Sequence, residues 1–331
     1  MTPLHAAVIG CGNYGRQHAE RLMQLDDVRL VGCCDHKMEN AQAFARQFGI
    51  TRAYTDSAHM FDELDLNLVY ICLPPFAHRD EVELACRHGV HILIEKPIAL
   101  SMDKARAMAA HVLASGVKTQ VGFKFRHGEA VQWLKQHLSN PSGTSALMTA
   151  HYACNSLHGW WWRDRTKSGG QLVEQIIHIL DLARHFLGEP AQVYSVQDNL
   201  FHRESADYTV EDVSATVIRF QSGSVAVVAA TNGAIPNRWE YGWRIVLRDL
   251  TVDFADANHA VVHHTLQSPV TTTDIASDKD VLLAQTMDLL SAIRSDRQTV
   301  APIEEGVRSL ELALAAVRSA EQGAPVNLTL S

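Results

Sequence analysis

The chain has 331 residues, 47% hydrophobic and 20% charged, with a formal net charge of −8. This is the balance of a soluble globular protein long enough to build two cores. The acidic charge excludes a nucleic-acid backbone as the main partner, and the absence of any apolar run of spanning length excludes a membrane segment. The cysteines at 11, 33, 34, 72, 86 and 154 show neither C-x-x-C nor zinc spacing. They read as small buried hydrophobes in a reducing cytoplasm. No basic segment precedes the first apolar run, so no signal peptide is expected.

That first run, Leu4 to Ile9, has strand length and ends in Gly10, Gly12 and Gly15, spaced G-x-G-x-x-G; a helix-forming stretch, Arg16 to Leu25, follows. Gly10 permits the tight turn, Gly12 lets a pyrophosphate approach the backbone, and Gly15 lets the helix lie close on the strand. A second β-like run, Val28 to Cys34, ends in Asp35, 20 residues after Gly15, where a dinucleotide fold places a carboxylate for the ribose 2′-hydroxyl. A carboxylate there repels a 2′-phosphate and favours NAD; His36 and Lys37 keep NADP as the alternative.

From there helix-like and strand-like stretches alternate. A helix over 39–48 precedes Arg52-Ala53-Tyr54, and a short helix over 57–63 precedes the strand 68–73. Pro74-Pro75, a helix over 77–88 and the strand 91–95 come next, then a helix from the N-cap Ser101 to Ser115 and a strand over 118–123. The pattern predicts an α/β fold with a parallel sheet, helices on both faces and ligands beyond the strands' carboxyl ends. Asp35, Pro74-Pro75 and Glu95-Lys96-Pro97 all fall at such ends.

Past Phe123 one helix, 129–138, gives way to long β-like stretches over 144–154, 191–201, 213–220, 225–230, 243–247 and 251–254. They predict a second, largely antiparallel sheet. The boundary is placed there: 1–123 as a dinucleotide-binding domain, and 124–331 as a second α/β domain closed by helices over 279–294 and 304–322.

One helix, Gln171 to Leu187, interrupts the strands. Its apolar face carries Leu172, Ile176, Ile179, Leu180 and Ala183, and its polar stripe carries Glu174, His178, Asp181 and His185. Ser168-Gly169-Gly170 before it suits close approach by a ligand or backbone. Lys96 and His178 together supply what oxidation of an alcohol by a nicotinamide needs: a cation for the developing alkoxide and a base for its proton. Spacing alone also permits Glu174, His178 and Asp181 as ligands of a hydrolytic metal.

These features resemble the Gfo/Idh/MocA family, which includes glucose–fructose oxidoreductase and inositol dehydrogenase. The resemblance covers the whole length. It rests on Gly10-Cys11-Gly12-Asn13-Tyr14-Gly15, on Cys72-Leu73-Pro74-Pro75 with His78, on Glu95-Lys96-Pro97, on Gly122-Phe123 with Arg126, and on Gly169-Gly170 through Glu174, His178 and Asp181. It implies cofactor contacts from Gly10, Gly12, Asn13, Tyr14, Gly15, Asp35, His36, Cys72, Leu73, Pro74, His78, Glu95 and Lys96, and a cis bond before Pro97. It also implies Lys96 on both the nicotinamide and the substrate hydroxyl, His178 as general acid/base, and a sugar, sugar derivative or cyclitol as substrate. Arg126, Trp162, Arg163, Glu174 and His178 are the expected substrate contacts, with Trp160-Trp161-Trp162 as an aromatic pocket wall or, for at least two of the three, as ordinary buried rings. The family's inositol dehydrogenases commonly carry Asp where this chain has Glu174, whose longer arm argues against inositol itself. The resemblance further implies a Rossmann domain over 1–123 followed by an α/β substrate-binding and oligomerisation domain over 124–331 with an open, mainly antiparallel sheet, so a homodimer or homotetramer is expected. Non-catalytic ligand sensors on the same fold are the alternative, and intact Lys96 and His178 argue against it.

Overall fold

The computed structural model describes residues 3–138 and 146–328. Thr144 and Ser145, the start of the strand expected over 144–154, lie outside the described residues. The chain divides into two compact units, Met1–Lys124 with Asp280–Val307, and Phe125–Lys279 with Arg308–Ser331.

The first unit is built on β1 (Leu4–Ile9), β2 (Val28–Cys34), β3 (Arg52–Tyr54), β4 (Leu68–Ile71), β5 (His91–Ile94) and β6 (Thr119–Val121). They form one parallel sheet in the order β3-β2-β1-β4-β5-β6. Between them run α1 (Asn13–Leu22), α2 (Met38–Phe48), α3 (Ser57–Glu63), α4 (Glu81–Arg87) and α5 (Met102–Ser115). β4 is buried at every residue, as expected of a strand covered on both faces. Ser101 caps α5 by accepting the Lys104 N–H. The order reverses between β1 and β4, and ligands of such sheets bind in the crevice beyond the carboxyl ends at that reversal.

The domain limits predicted from sequence leave 280–307 in the second domain, whereas the structure packs it with the first. The helix Val281–Ser295 places Leu289 and Leu290 in the core that holds Tyr70 and Leu93. Thr286 accepts the buried Tyr70 hydroxyl at 3.0 Å, and the Gln285 amide donates to the Val121 carbonyl. The helix thus supplies the apolar cover and the polar partners that the sheet would otherwise lack.

The second unit opens with α6 (Glu129–Leu138) and carries β7 (Leu147–Ala153), α7 (Arg165–Ser168), α8 (Gln171–Glu174) and α9 (Ile177–Leu187). Then come β8 (Pro190–Asp198), β9 (Val213–Phe220), β10 (Val225–Thr231), β11 (Glu240–Val246), β12 (Leu250–Phe254), β13 (Ala260–His264), β14 (Thr271–Ile275) and β15 (Val326–Asn327). The sheet order is β14-β13-β12-β11-β7-β10-β9-β8-β15, antiparallel throughout except for the β7/β10 pair. β9 shows the alternation of a half-covered sheet: Ser214, Thr216, Ile218 and Phe220 point inward, Ala215, Val217 and Arg219 outward. Inward, the Ser195 N–H donates to Ser319 of the helix Ile303–Gln322. β14 escapes the sequence pattern because this edge strand is polar and almost wholly exposed, and β13 is a strand the sequence reading also lacks.

Candidate functional site

In the first unit the glycine turn divides its work. Gly10 has φ 95°, and a Cβ on it would lie 2.4 Å from the Cys72 carbonyl oxygen; one on Gly15 would lie 2.1 Å from the Gly10 carbonyl oxygen. Both glycines are therefore demanded by packing. A Cβ on Gly12 would meet nothing within 4 Å. Gly12 also caps α1 without a side-chain hydrogen bond, and the first turn, which starts with Asn13 and Tyr14, holds no acidic residue. Backbone donors at a helix start, bordered by open space, form the cradle that a dinucleotide pyrophosphate needs, so these residues fit NAD.

Asp35 is locked beside that cradle. One carboxylate oxygen accepts the Cys11 N–H at 3.0 Å; the other accepts the Lys37 N–H and the Asn40 amide, with His36 Nδ1 3.1 Å away. Across the crevice, the Cys72 N–H bonds to the Ile9 carbonyl, and a Leu73 methyl lies 3.2 Å from where a Gly10 Cβ would stand. Pro74 leads into a short 3₁₀ turn, Pro75–Ala77, that ends at His78. His78 is buried, and burial, aided by the Lys104 charge, lowers its pKa to about 3.

At the end of β5, Glu95 is buried with its carboxylate 2.8 Å from His18 Nε2. A Cβ on Gly122 would come within 2.4 Å of the same carboxylate. Burial opposes its charge, but the hydrogen bond and charge of His18 and the charges of Lys96 and Lys124 outweigh that, so Glu95 stays below the usual carboxylate range. The Lys96–Pro97 bond is cis. His18 escapes the motif reading, yet a signal is present: it shares the buried face of α1 with Gly15, Ala19 and Leu22. A histidine on an apolar stripe needs a buried partner.

In the second unit the periodicity predicts one helix over 171–187, whereas the structure breaks it after Glu174. The Gln175 and Ile176 N–H groups both reach the Gln171 carbonyl, so one extra residue enters the turn, a π-type irregularity common at functional sites. It brings Glu174 and His178 closer to i, i+3 neighbours than continuous helix would. A close approach is made to Gly170 from within the chain itself. It comes from the Glu211 carboxylate, which lies where a Gly170 Cβ would stand, accepts the Leu172 N–H at 3.0 Å and pairs with Arg165.

Of the polar stripe, His178 and Asp181 are buried, and Glu174 and His185 are half-buried. His178 packs on Phe125, with ring centroids 5.1 Å apart. Asp181 receives a bidentate pair from Arg126 at 2.7 and 2.8 Å and a hydrogen bond from Ser309 at 2.8 Å. Arg126 is thus paired with Asp181 of α9. His185 is held neutral, its pKa lowered to about 2 by burial first and then by Arg126, Lys135, His127 and Arg184. Among the described residues no group of three His, Cys, Asp or Glu side chains could hold a metal ion.

Of the three tryptophans, Trp162 is buried against Tyr208 and Val210, and its indole N–H donates to Glu174. Trp161 packs partly on that cluster, and Trp160 is exposed beneath the Lys167 ammonium. Arg163 pairs with Asp207 at 3.2 Å.

Known proteins share this organisation. Residues 4–123 match an oxidoreductase family with an NAD-binding Rossmann fold, and residues 138–249 match the GFO/IDH/MocA C-terminal domain. The D-apiose dehydrogenase of Paraburkholderia graminis is 32% identical over 226 residues, 67% of this chain and 59% of that protein, so the chain spans less than two thirds of that relative. The myo-inositol 2-dehydrogenase of Thermotoga maritima is 23% identical over 340 residues, 98% of each chain. Among solved structures, levoglucosan dehydrogenase in complex with NADH and levoglucosan superposes with a TM-score of 0.91 at 20% identity, over 99% of this chain and 100% of that one. At that identity the likeness speaks to the fold.

Proposed function

The chain belongs to the Gfo/Idh/MocA family and is an NAD-dependent oxidoreductase, and from that premise we propose that it interconverts a secondary alcohol and a ketone on a sugar, sugar derivative or cyclitol. The observation that carries the reading is His178: a buried imidazole beside a break in its helix, on the same polar stripe of sequence as Glu174, whose carboxylate accepts the Trp162 indole N–H.

NAD, when bound, supplies the acceptor or donor of the hydride. The chain's own residues do the rest. His178 takes the hydroxyl proton in oxidation and returns it in reduction, and the Lys96 ammonium stabilises negative charge as it develops on the carbinol oxygen. Glu174 orients a substrate hydroxyl or the imidazole, and Trp162 with Arg163 forms the wall on that side. Arg126 acts indirectly, by fixing Asp181 one turn beyond His178.

Polyols, aldoses and keto-sugars screened with NAD and NADP in parallel, at the absorbance of the reduced nicotinamide, test the reading. Turnover is expected with NAD preferred, since Asp35 repels a 2′-phosphate. Lys96→Met should lower kcat by orders of magnitude while NADH still binds, and His178→Ala by about 10²–10⁴-fold. Full activity in either variant would refute its role.

The oligomer and compartment belong to the same proposal. Tyr194, Val196, Val217, Val227 and Val246 are exposed on the outer face of the second sheet, and Tyr194, Val217 and Val227 stand in register across β8, β9 and β10. A second copy covering this face makes a homodimer, and a second interface elsewhere would make a homotetramer. A monomer by light scattering would count against it. The free thiols at all six cysteines support a reducing, cytoplasmic setting, and no helix among the described residues is long and apolar enough to cross a membrane.

A further inference from the structure

Glu174 is held from two sides, and both holds end on one sulfur. Its carboxylate accepts the Trp162 indole N–H, Trp162 packs on the His158 ring at 4.0 Å, and His158 Nε2 lies 3.8 Å from Cys154 Sγ. Its backbone continues into Gln175, whose side-chain amide donates to the same sulfur at 3.6 Å. Cys154 Sγ in turn lies 3.2 Å from Asn232 Oδ1, and the Asn232 amide donates to the Tyr208 hydroxyl at 3.2 Å. Cys154 and Asn232 directly follow the paired strands β7 and β10, and the Cys154 N–H extends that pairing to the Thr231 carbonyl at 2.9 Å. The sulfur is therefore fixed to the sheet.

The bonds along this chain run in one sense. Asn232 gives its amide hydrogens to Tyr208 and turns its carbonyl to Cys154; the S–H donates to that carbonyl, and the sulfur accepts from Gln175. Burial raises the Cys154 pKa, which keeps the proton on sulfur at neutral pH. Gln175, Cys154, Asn232 and Tyr208 are all buried. With its amide nitrogen on the sulfur, Gln175 keeps a buried Oε1 that has no hydrogen-bond partner among the described residues. Such an oxygen costs the fold stability, and an apolar side chain of the same length would spare that cost. Gln175 also stands in the irregular turn between α8 and α9, where its own N–H and that of Ile176 share the Gln171 carbonyl.

We propose that Gln175 is a positioning residue of the reaction: its amide, tied through Cys154 and Asn232 to the ends of β7 and β10, fixes the irregular turn and so the stance of Glu174 towards the substrate hydroxyl or the His178 imidazole. The inference rests on the dehydrogenase reading given above. Gln175 does not touch the reacting atoms in this role. It acts on Glu174 through the backbone, while Trp162 acts through the carboxylate. A hydrogen bond to sulfur is weak by itself, but the turn it anchors leads directly into Glu174, and a displacement of about 1 Å in a reacting group costs about 10²-fold in rate.

Gln175→Met, which keeps the length of the side chain and removes its amide, is the main probe, with Cys154→Ser and Cys154→Ala beside it. Three quantities are read: kcat and KM with NAD and the best polyol or sugar, the thermal midpoint, and the Trp162 indole N–H resonance, identified by its loss in Trp162→Phe. Gln175→Met should lower kcat about 10–10²-fold with the KM for NAD unchanged, shift the indole resonance, and keep or raise the midpoint, since the unsatisfied oxygen is gone. Cys154→Ser, whose hydroxyl still donates and accepts, should stay closer to the wild type in kcat and in the resonance than Cys154→Ala. A sulfur acting only as a small hydrophobe would give the reverse order and overturn the proposal. If the wild type oxidises no polyol or sugar while the resonance moves in Gln175→Met and Cys154→Ala, the anchoring of Glu174 stands and the dehydrogenase reading falls. If the wild type turns over and Gln175→Met keeps its kcat, or if the resonance is unmoved in both variants, the proposal is wrong. A Gln175→Met protein that loses midpoint and kcat together would give the amide a merely structural role and overturn it equally.

Discussion

His18 Nε2 lies 2.8 Å from the Glu95 carboxylate, and the two buried side chains tie the first helix after the glycine turn to the residue that precedes Lys96. Removing the imidazole leaves a buried carboxylate without its nearest partner, a loss of about 3–5 kcal/mol when such a pair is broken. His18→Ala should therefore lower the urea midpoint strongly, and His18→Gln, which keeps an N–H donor, should recover part of it. The sign in pH follows from Glu95. Its folded pKa is depressed, so its contribution is present above the ordinary carboxylate range and is lost as pH falls through the folded value. Acid unfolding of His18→Ala should begin at higher pH than in the wild type. Equal midpoints would show that the pair contributes nothing.

Gly12 and Gly15 separate binding from folding. Gly12 has φ −77° and open space where a Cβ would stand, so Gly12→Ala should keep its thermal midpoint while NADH affinity falls at least about tenfold, a methyl now occupying the pyrophosphate approach. Gly15→Ala places a carbon 2.1 Å from the Gly10 carbonyl oxygen and should lose about 1–3 kcal/mol of stability, the usual cost of overpacking. Calorimetry and NADH fluorescence on the two proteins read both effects.

Stability should rise with pH on account of His78. Its pKa falls from 6.5 to about 3 in the folded chain, through burial first and the Lys104 charge second. Between these values the unfolded chain binds a proton that the folded one does not, so the stabilisation is complete above pH 6.5 and is lost as pH falls towards 3. His78→Leu should flatten that part of the stability profile by up to a few kcal/mol. An unchanged slope would show that His78 protonates without unfolding the site.

Arg126→Ala should cost about 3–5 kcal/mol, because the buried Asp181 loses its bidentate partner. Arg126→Lys should rescue little, since an ammonium cannot reproduce the fork. Activity should fall mainly in kcat, as α9 loses the strut one turn beyond His178. A rise confined to the substrate KM would instead return Arg126 to direct contact.

What the sequence determined by itself is chemistry carried by near neighbours. The Gly10-Gly12-Gly15 turn, Asp35 at the end of β2, Glu95-Lys96-Pro97 at the end of β5 and the strand alternation of 213–220 were all legible, because each depends on a short motif or on a fixed spacing within one βαβ unit. Only the tertiary structure decided the partners of buried charge. Glu95 finds His18 at a separation of 77 residues, and Arg126 finds Asp181 at 55. Glu211 takes the space beside Gly170, and Leu289 and Leu290 return to the first sheet. The extra residue at Ile176, which decides how Glu174 stands to His178, is set by which carbonyl is in reach and leaves no trace in periodicity. The physical reason is common to all of these: a buried ionic or aromatic group is satisfied by whatever packing brings within about 3–6 Å, and packing joins residues whose order along the chain says nothing of their distance in space.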